Sequence, residues 1–223
     1  MKNNEVIPTF SIIIPVFNGA DFITATLDAV AAQTLTDLEI VITNDGSNDD
    51  TEKTIMQYIA AHPSLIVNFS SQINKGIGAA RNHAIERSRG KFLAFLDADD
   101  HWYTNKLESV QQIIIDFPGV DVIYHDEVEV KADKSRHASR YGKIQEPDAF
   151  DDLIFNGNRL STSATVVRRE LAQELGGFSD NLDFNSAEDY EFWLRQAKRG
   201  ANFYYLPVVL GEYNRIENSV SLR

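Results

Sequence analysis

Cysteine is absent from all 223 residues, which excludes a disulfide framework and a thiolate metal site and leaves nothing that points to an oxidising compartment. Long apolar runs are missing as well. The N-terminal MKNNEVIPTFSIIIPVF holds one brief apolar stretch, interrupted by Pro15, and reads as a strand rather than a signal peptide. No stretch reaches the roughly 18 to 20 apolar residues that a membrane-spanning helix requires. Basic side chains are in deficit, with 21 Lys and Arg against 33 Asp and Glu, for a formal net charge of -12. A chain so acidic repels nucleic acid phosphates and anionic lipid surfaces, so no nucleic acid partner is expected, although a divalent cation would let it bind an anionic small molecule. The five His residues show no metal-ligand spacing, and no Gly-x-Ser-x-Gly nucleophile elbow occurs. A soluble cytoplasmic protein is the expectation from these absences.

What is present suffices for an ordinary core: 43% of residues are hydrophobic, with 13 Phe and 8 Tyr among them. Continuous apolar runs at 10–17 (FSIIIPVF), 38–44 (LEIVITN), 65–70 (LIVNFS) and 91–97 (KFLAFLD) have the character of strands buried on both faces. Helical patterns separate them. One follows Asp21 as N-cap, with Ile23, Leu27 and Val30 at helical spacing. A second starts in the cluster at 47–50, a third runs from about Gly78 to a stop at Gly90, and a fourth carries Leu107, Val110 and Ile114 up to Pro118. This βαβαβαβα order predicts an α/β fold, a Rossmann-like mostly parallel sheet flanked by helices. Beyond a strand at 120–124, the polar stretch 129–148 reads as a mobile loop. Strand-like segments at 161–167 and 202–210 then bracket a helix whose apolar face holds Tyr190, Trp193, Leu194 and Ala197.

In open parallel sheets the ligand sits at the carboxyl ends of the strands, so the polar residues just past each run are the candidates. Asp45 of TNDGSNDD is either a turn residue or an acceptor for a base N–H or a ribose hydroxyl. Gly76 and Gly78 of NKGIGAARN form either a phosphate-binding turn or a plain helix-start loop, and Arg81 either reaches a phosphate or stands exposed on its helix. The cluster DADD, with Asp97, Asp99 and Asp100 in four positions, is either a strand-to-loop turn or an oxygen-ligand site for Mg²⁺ or Mn²⁺ completed by substrate phosphates. Glu188 and Asp189, ahead of an amphipathic helix, either favour the helix dipole or supply a general base.

The order SIIIPVFNG, LEIVITNDGSNDDT, NKGIGAARNHAI, GKFLAFLDADD, GGF and EDYEFWLRQAKRG resembles the family 2 inverting glycosyltransferases of the GT-A fold, over nearly the whole chain. The resemblance implies one GT-A domain, with residues 1–100 as the nucleotide-sugar half and 101–223 as the acceptor half. It places Phe17 against the nucleotide base, where the family often has Tyr, and Asp45 in a hydrogen bond to that base. Asp97 falls near the ribose, Asp99 on a Mn²⁺ or Mg²⁺ beside the diphosphate, and Asp189 at the catalytic base. Pro15, Asn18, Gly76 and Arg81 complete the expected nucleotide-sugar set, while Glu188 and Trp102 fall on the acceptor side. The chain departs from the family's paired aspartates at Asn44, which either alters nucleotide preference or stabilises the strand end.

The implied activity is metal-dependent, inverting transfer from a nucleotide-diphosphate sugar, expected to be a UDP-sugar, to a glycan or lipid-linked glycan acceptor in cell-surface polysaccharide biosynthesis. A homodimer, or a membrane-associated complex at the inner face of the membrane, would fit such work. Two rivals stand beside it. A non-catalytic nucleotide or glycan binder would need neither metal nor base, and a nucleotidyltransferase would want basic residues after the first strand, where PVFNGADF has none.

Overall fold

The first two apolar runs become β1 (Phe10–Val16) and β2 (Leu38–Asn44), buried at every position. Such complete burial requires helices on both faces of the sheet. The computed structural model describes residues 7–145, 148–181, 184 and 186–215. In it, β1 pairs in parallel with β2 and with β4 (Phe92–Phe95), and β2 pairs in parallel with β3 (Val67–Ser71). Right-handed crossovers of this kind need helices, supplied by α1 (Ile23–Ala31), α2 (Thr51–Ala61) and α3 (Ile77–Arg87). The fold class is the α/β class expected, but an unbroken run of parallel neighbours is confined to this half.

Beyond β4 the sheet is mixed. β8 (Thr165–Arg168) lies antiparallel to β4, β6 (Val122–Val130) antiparallel to β8, and β9 (Phe203–Asn214) parallel to β6. The order among the described residues is β3-β2-β1-β4-β8-β6-β9-β5, where β5 (His101–Trp102) pairs antiparallel with β9. The stretch 129–148, expected as a mobile loop, is in part regular: β6 continues to Val130 and β7 (Arg136–Ser139) returns along it as a hairpin. Its polar composition misled because this hairpin is solvated, with β7 exposed or half-buried throughout.

The alternation of β1 splits the core in two. Phe10, Ile12, Ile14 and Val16 face α1, α2 and α4 (Lys106–Asp116), whereas Ile13 faces α3 together with α7 (Glu188–Lys198). Two boundaries differ from expectation. Asp21 is exposed and the cap position of α1 is Phe22; the Phe22 and Ile23 amides bond the Gly19 carbonyl instead. On α7 the most deeply buried apolar residues are Phe192 and Trp193, with Tyr190 and Leu194 packed at the margin.

Strand direction decides where the ends meet. The carboxyl ends of β1 to β4 lie on one rim. Because β8 runs the other way, its leading segment 161–164 reaches the same rim, as does the end of β9. No helix among the described residues is long and apolar enough to cross a membrane.

Candidate active site

The rim opens into a cleft of about 470 Å³, lined by Ile77 and Arg81 of α3, Asp97, Tyr141, residues 158 and 160–162, Ser186, Glu188 and Asp189 at the start of α7, and Tyr213 and Arg215 at the end of β9. Of the residues expected to carry chemistry, Arg81, Asp97, Glu188 and Asp189 are thus brought together, Arg81 and Glu188 from 107 positions apart.

Arg81 organises that wall. It is 2% exposed, contrary to the exposed helix position that was one of its two readings. One guanidinium nitrogen donates to Glu188 Oε1 at 2.8 Å, the other to both oxygens of Asp97 at 2.8 and 3.1 Å, and the ring of Phe178 lies 5.1 Å from the guanidinium carbon. Two carboxylates around one buried cation strengthen its hold on the proton, against the effect of burial. The second oxygen of Glu188, Oε2, is buried without a hydrogen-bond partner among the described residues.

Asp189 stands beside this pair with uneven support: its Oδ1 accepts the Tyr190 amide at 2.6 Å. Its Oδ2 accepts the Thr162 hydroxyl at 3.3 Å and the Asn158 amide at 3.4 Å, both long. Burial raises its pKa above the ordinary carboxylate value, Arg81 pulls it back and Glu188 pushes it up again. A partly buried carboxylate with a raised pKa is a better proton acceptor than a free one.

Asp99 is the neighbouring anomaly. Burial, reinforced by the charge of Asp97, pushes its carboxyl up to about 6. Asp100 is 3% exposed and points inward; its pKa too is raised by burial. Among the described residues no cluster of three or more carboxylate or imidazole ligands makes a ready cage. Mg²⁺ and Mn²⁺ do not need one, since one or two carboxylates plus phosphate oxygens and waters complete their shells. An under-neutralised Asp99 with a hard oxygen donor set therefore fits such an ion.

The β1 and β2 exits form the other end of the rim. Phe17 is 51% exposed, with its ring free to stack, while Pro15 is buried inside β1 opposite Thr43. Asn18, at φ 50°, accepts the Asn48 amide through its side chain and donates its own amide to Ser47, which ties the β1 exit to the loop after β2. Asp45 is 3% exposed and accepts three bonds, from Gln72 Nε2 at 2.7 Å and from the amides of Lys75 and Gly76 at 2.9 Å. Gly76 needs its φ of 91° for this. At Gly78 a Cβ would meet the Ser179 carbonyl at 2.4 Å, so that glycine serves the approach of the 179 loop.

One expected site residue is misplaced. Trp102 is 1% exposed, donates its indole N–H to the Ser163 carbonyl at 2.8 Å and lies 3.5 Å under the Lys106 ammonium, so it cannot contact an acceptor. Its apolar ring is worth more in the core than at the rim. Tyr141, Asn158, Thr162, Tyr213 and Arg215 went unnoticed, because nothing in their spacing ties them to the early strands. The run STSAT at 161–165 did carry a signal: hydroxyls crowded at the mouth of a buried strand need partners.

The family model described as Glycosyl transferase family 2 matches residues 11–176. A Bacillus subtilis glycosyltransferase named for teichuronic acid biosynthesis, TuaG, is 30% identical over 220 residues, covering 96% of this chain and 82% of its own length. An uncharacterized glycosyltransferase of Rickettsia prowazekii is 30% identical over 201 residues, covering 87% of this chain and 60% of its own length. The chain thus spans about 60% of the length of the Rickettsia prowazekii and Rickettsia typhi relatives and about 30% of the length of those from Rickettsia felis, Rickettsia conorii and Rickettsia bellii. Among solved structures, S. aureus TarS 1-349 in complex with UDP-GlcNAc superposes with a TM-score of 0.79 at 22% identity, covering 96% of this chain and 60% of that one; at this identity the likeness speaks for the fold.

Proposed function

Because this chain belongs to the family 2 glycosyltransferases, we propose that it transfers a sugar, with inversion and with the help of a divalent cation, from a UDP-sugar to a glycan hydroxyl. The observation that carries the reading is the convergence of Asp97, Glu188 and Asp189 on one cleft through Arg81. TuaG is named for teichuronic acid biosynthesis and TarS was solved with UDP-GlcNAc, which favours a UDP-sugar donor and a cell-surface polysaccharide product. The acceptor on this reading is a glycan or lipid-linked glycan that enters over the second half of the chain, while the first half holds the donor.

In the proposed division of labour Phe17 stacks on the base. Asp45 has three of its roughly four acceptor positions occupied, which leaves one for a base N–H. Asp97, fixed by Arg81, faces the ribose. Asp99 would hold Mn²⁺ or Mg²⁺, which when bound supplies positive charge beside the departing diphosphate. Inversion places a base on the face of the sugar opposite the leaving group. Asp189 takes the proton of the attacking acceptor hydroxyl there, with Thr162 and Asn158 orienting its Oδ2. Glu188 Oε2, the unpartnered oxygen, accepts a hydroxyl of the incoming sugar.

The test is incubation with a panel of nucleotide-sugars, with Mn²⁺ and with chelator, following nucleoside diphosphate release and the anomeric configuration of the product by NMR. UDP release that requires the metal and gives the inverted anomer is expected. No release from any nucleotide-sugar would instead leave a non-catalytic binder, and the retained anomer would overturn the role of Asp189.

A further inference from the structure

The turn at residues 97–100 is gripped from four directions. Thr26 of α1 donates its hydroxyl to the Ala98 carbonyl at 2.7 Å. Asn214, at the end of β9, donates its side-chain amide to the Asp99 carbonyl at 2.6 Å and its backbone N–H to Asp100 Oδ1 at 2.9 Å. Arg81 holds the Asp97 carboxylate. The fourth grip is Ser163, 1% exposed and outside the cleft lining, whose hydroxyl donates to Asp100 Oδ2 at 2.5 Å and accepts the Asp97 backbone N–H at 3.0 Å.

Ser163 cannot drift. Its carbonyl accepts the Lys106 ammonium at 2.6 Å and the Trp102 indole N–H at 2.8 Å, both from buried side chains. With its one hydroxyl proton committed to Asp100 and a lone pair to the Asp97 amide, the side chain has a single orientation. The bonds leave one functional group of the turn without a side-chain partner among the described residues, the Asp99 carboxylate, which is touched by its own backbone N–H and makes no ion pair there. A carboxylate that must meet a small, geometrically demanding cation gains from a backbone fixed beneath it.

We propose that Ser163 is a positioning residue, acting through Asp100 and the Asp97 amide to hold the acidic turn in the form that presents Asp99 to the divalent cation. The inference rests on the metal-dependent reading above. Its test reads metal affinity directly, by the EPR signal of free Mn²⁺ titrated into the full chain with saturating UDP, alongside metal-free UDP affinity and thermal unfolding. Ser163→Ala keeps both carbonyl bonds and should raise the Mn²⁺ dissociation constant about tenfold, the usual cost of losing a group that orients a metal ligand, with metal-free UDP affinity within about twofold of the parent. Asp100→Asn gives an independent variant. Both Asp100 oxygens accept hydrogen bonds and an amide nitrogen cannot, so one grip is lost. Because the two residues act as one unit, the double variant should bind Mn²⁺ no more weakly than the worse single variant.

Parent-like Mn²⁺ affinity in Ser163→Ala, or a double variant whose loss is the product of the single losses, overturns the assignment while leaving the metal reading intact. A parent that binds no Mn²⁺ overturns both, and does so before any variant is made.

Discussion

The end of β2 and the start of α7 both present carboxylates to the same rim, yet they are treated in opposite ways. At β2, Asp45 takes three hydrogen bonds at 2.7 to 2.9 Å and pulls the 72–76 loop into shape. At α7, Glu188 Oε2 has no hydrogen-bond partner among the described residues, and Asp189, whose Oδ1 accepts the Tyr190 amide, has only long side-chain bonds to its Oδ2, at 3.3 and 3.4 Å, and a pKa raised by burial. A carboxylate held by short hydrogen bonds shapes the site, whereas one with a loosely held or unpartnered oxygen can offer that oxygen to an incoming hydroxyl. How firmly each oxygen is held, not charge or spacing, therefore separates the scaffold acids from those free to react.

The strongest way to break this contrast is Asp189→Asn. The amide keeps the shape and loses the base, so turnover should fall by about 10³-fold, within the usual range for removal of a general base, with UDP affinity nearly unchanged. Steady-state kinetics beside calorimetric UDP titration checks it, and unchanged turnover would sink the assignment. The pH profile adds a sign. A base works only when deprotonated, and burial has lifted Asp189, so activity should rise with pH along a limb displaced above the ordinary carboxylate range.

Next in size is Arg81→Met. It removes the buried cation shared by Asp97 and Glu188 and leaves two carboxylates facing one another without compensation, at an expected cost of about 3 kcal/mol in stability. Urea unfolding at neutral pH measures it, with the slope unchanged. A loss below about 1 kcal/mol would mean that the clamp is as weak as a surface pair, and the wall between the two regions would need another explanation.

How much of this could be read from the chain itself follows the same division. Continuous apolar runs disclosed β1, β2 and β4, and the polar residues following them disclosed the rim, because a strand buried on both faces leaves a period-free signature and its end must expose whatever comes next. β5 and β7 left no such mark: one is two residues long and the other is solvated. Trp102 was misassigned because proximity in sequence to DADD says nothing about which way a ring turns. Ser163 and Asn214 stayed hidden because they meet the early motifs only after the chain reverses through β8, β6 and β9. The pairing of Arg81 with Glu188 closes a gap of 107 residues that no local pattern spans.

The smallest expected effect sharpens the scaffold side. Asn44 stands where the family usually has an aspartate, and its side chain is 2% exposed and committed to its own surroundings. Its Oδ1 accepts the Ser47 amide at 3.1 Å, and its Nδ2 points to Glu52 Oε2 at 3.3 Å and Ser71 Oγ at 3.4 Å. These partners are the loop and helix that follow β2 and the end of β3, not the cleft, so of the two readings for Asn44 the bonds favour stabilising the strand end. Asn44→Asp would set a second carboxylate against Glu52 in place of a donor, costing about 1 kcal/mol of stability, the net worth of one ordinary hydrogen bond, while UDP affinity stays within about twofold. Thermal unfolding and UDP titration on the same sample decide it. A larger change in nucleotide affinity than in stability would show that the charge of this position reaches the ligand after all, and would move Asn44 from the scaffold side of the comparison to the reactive one.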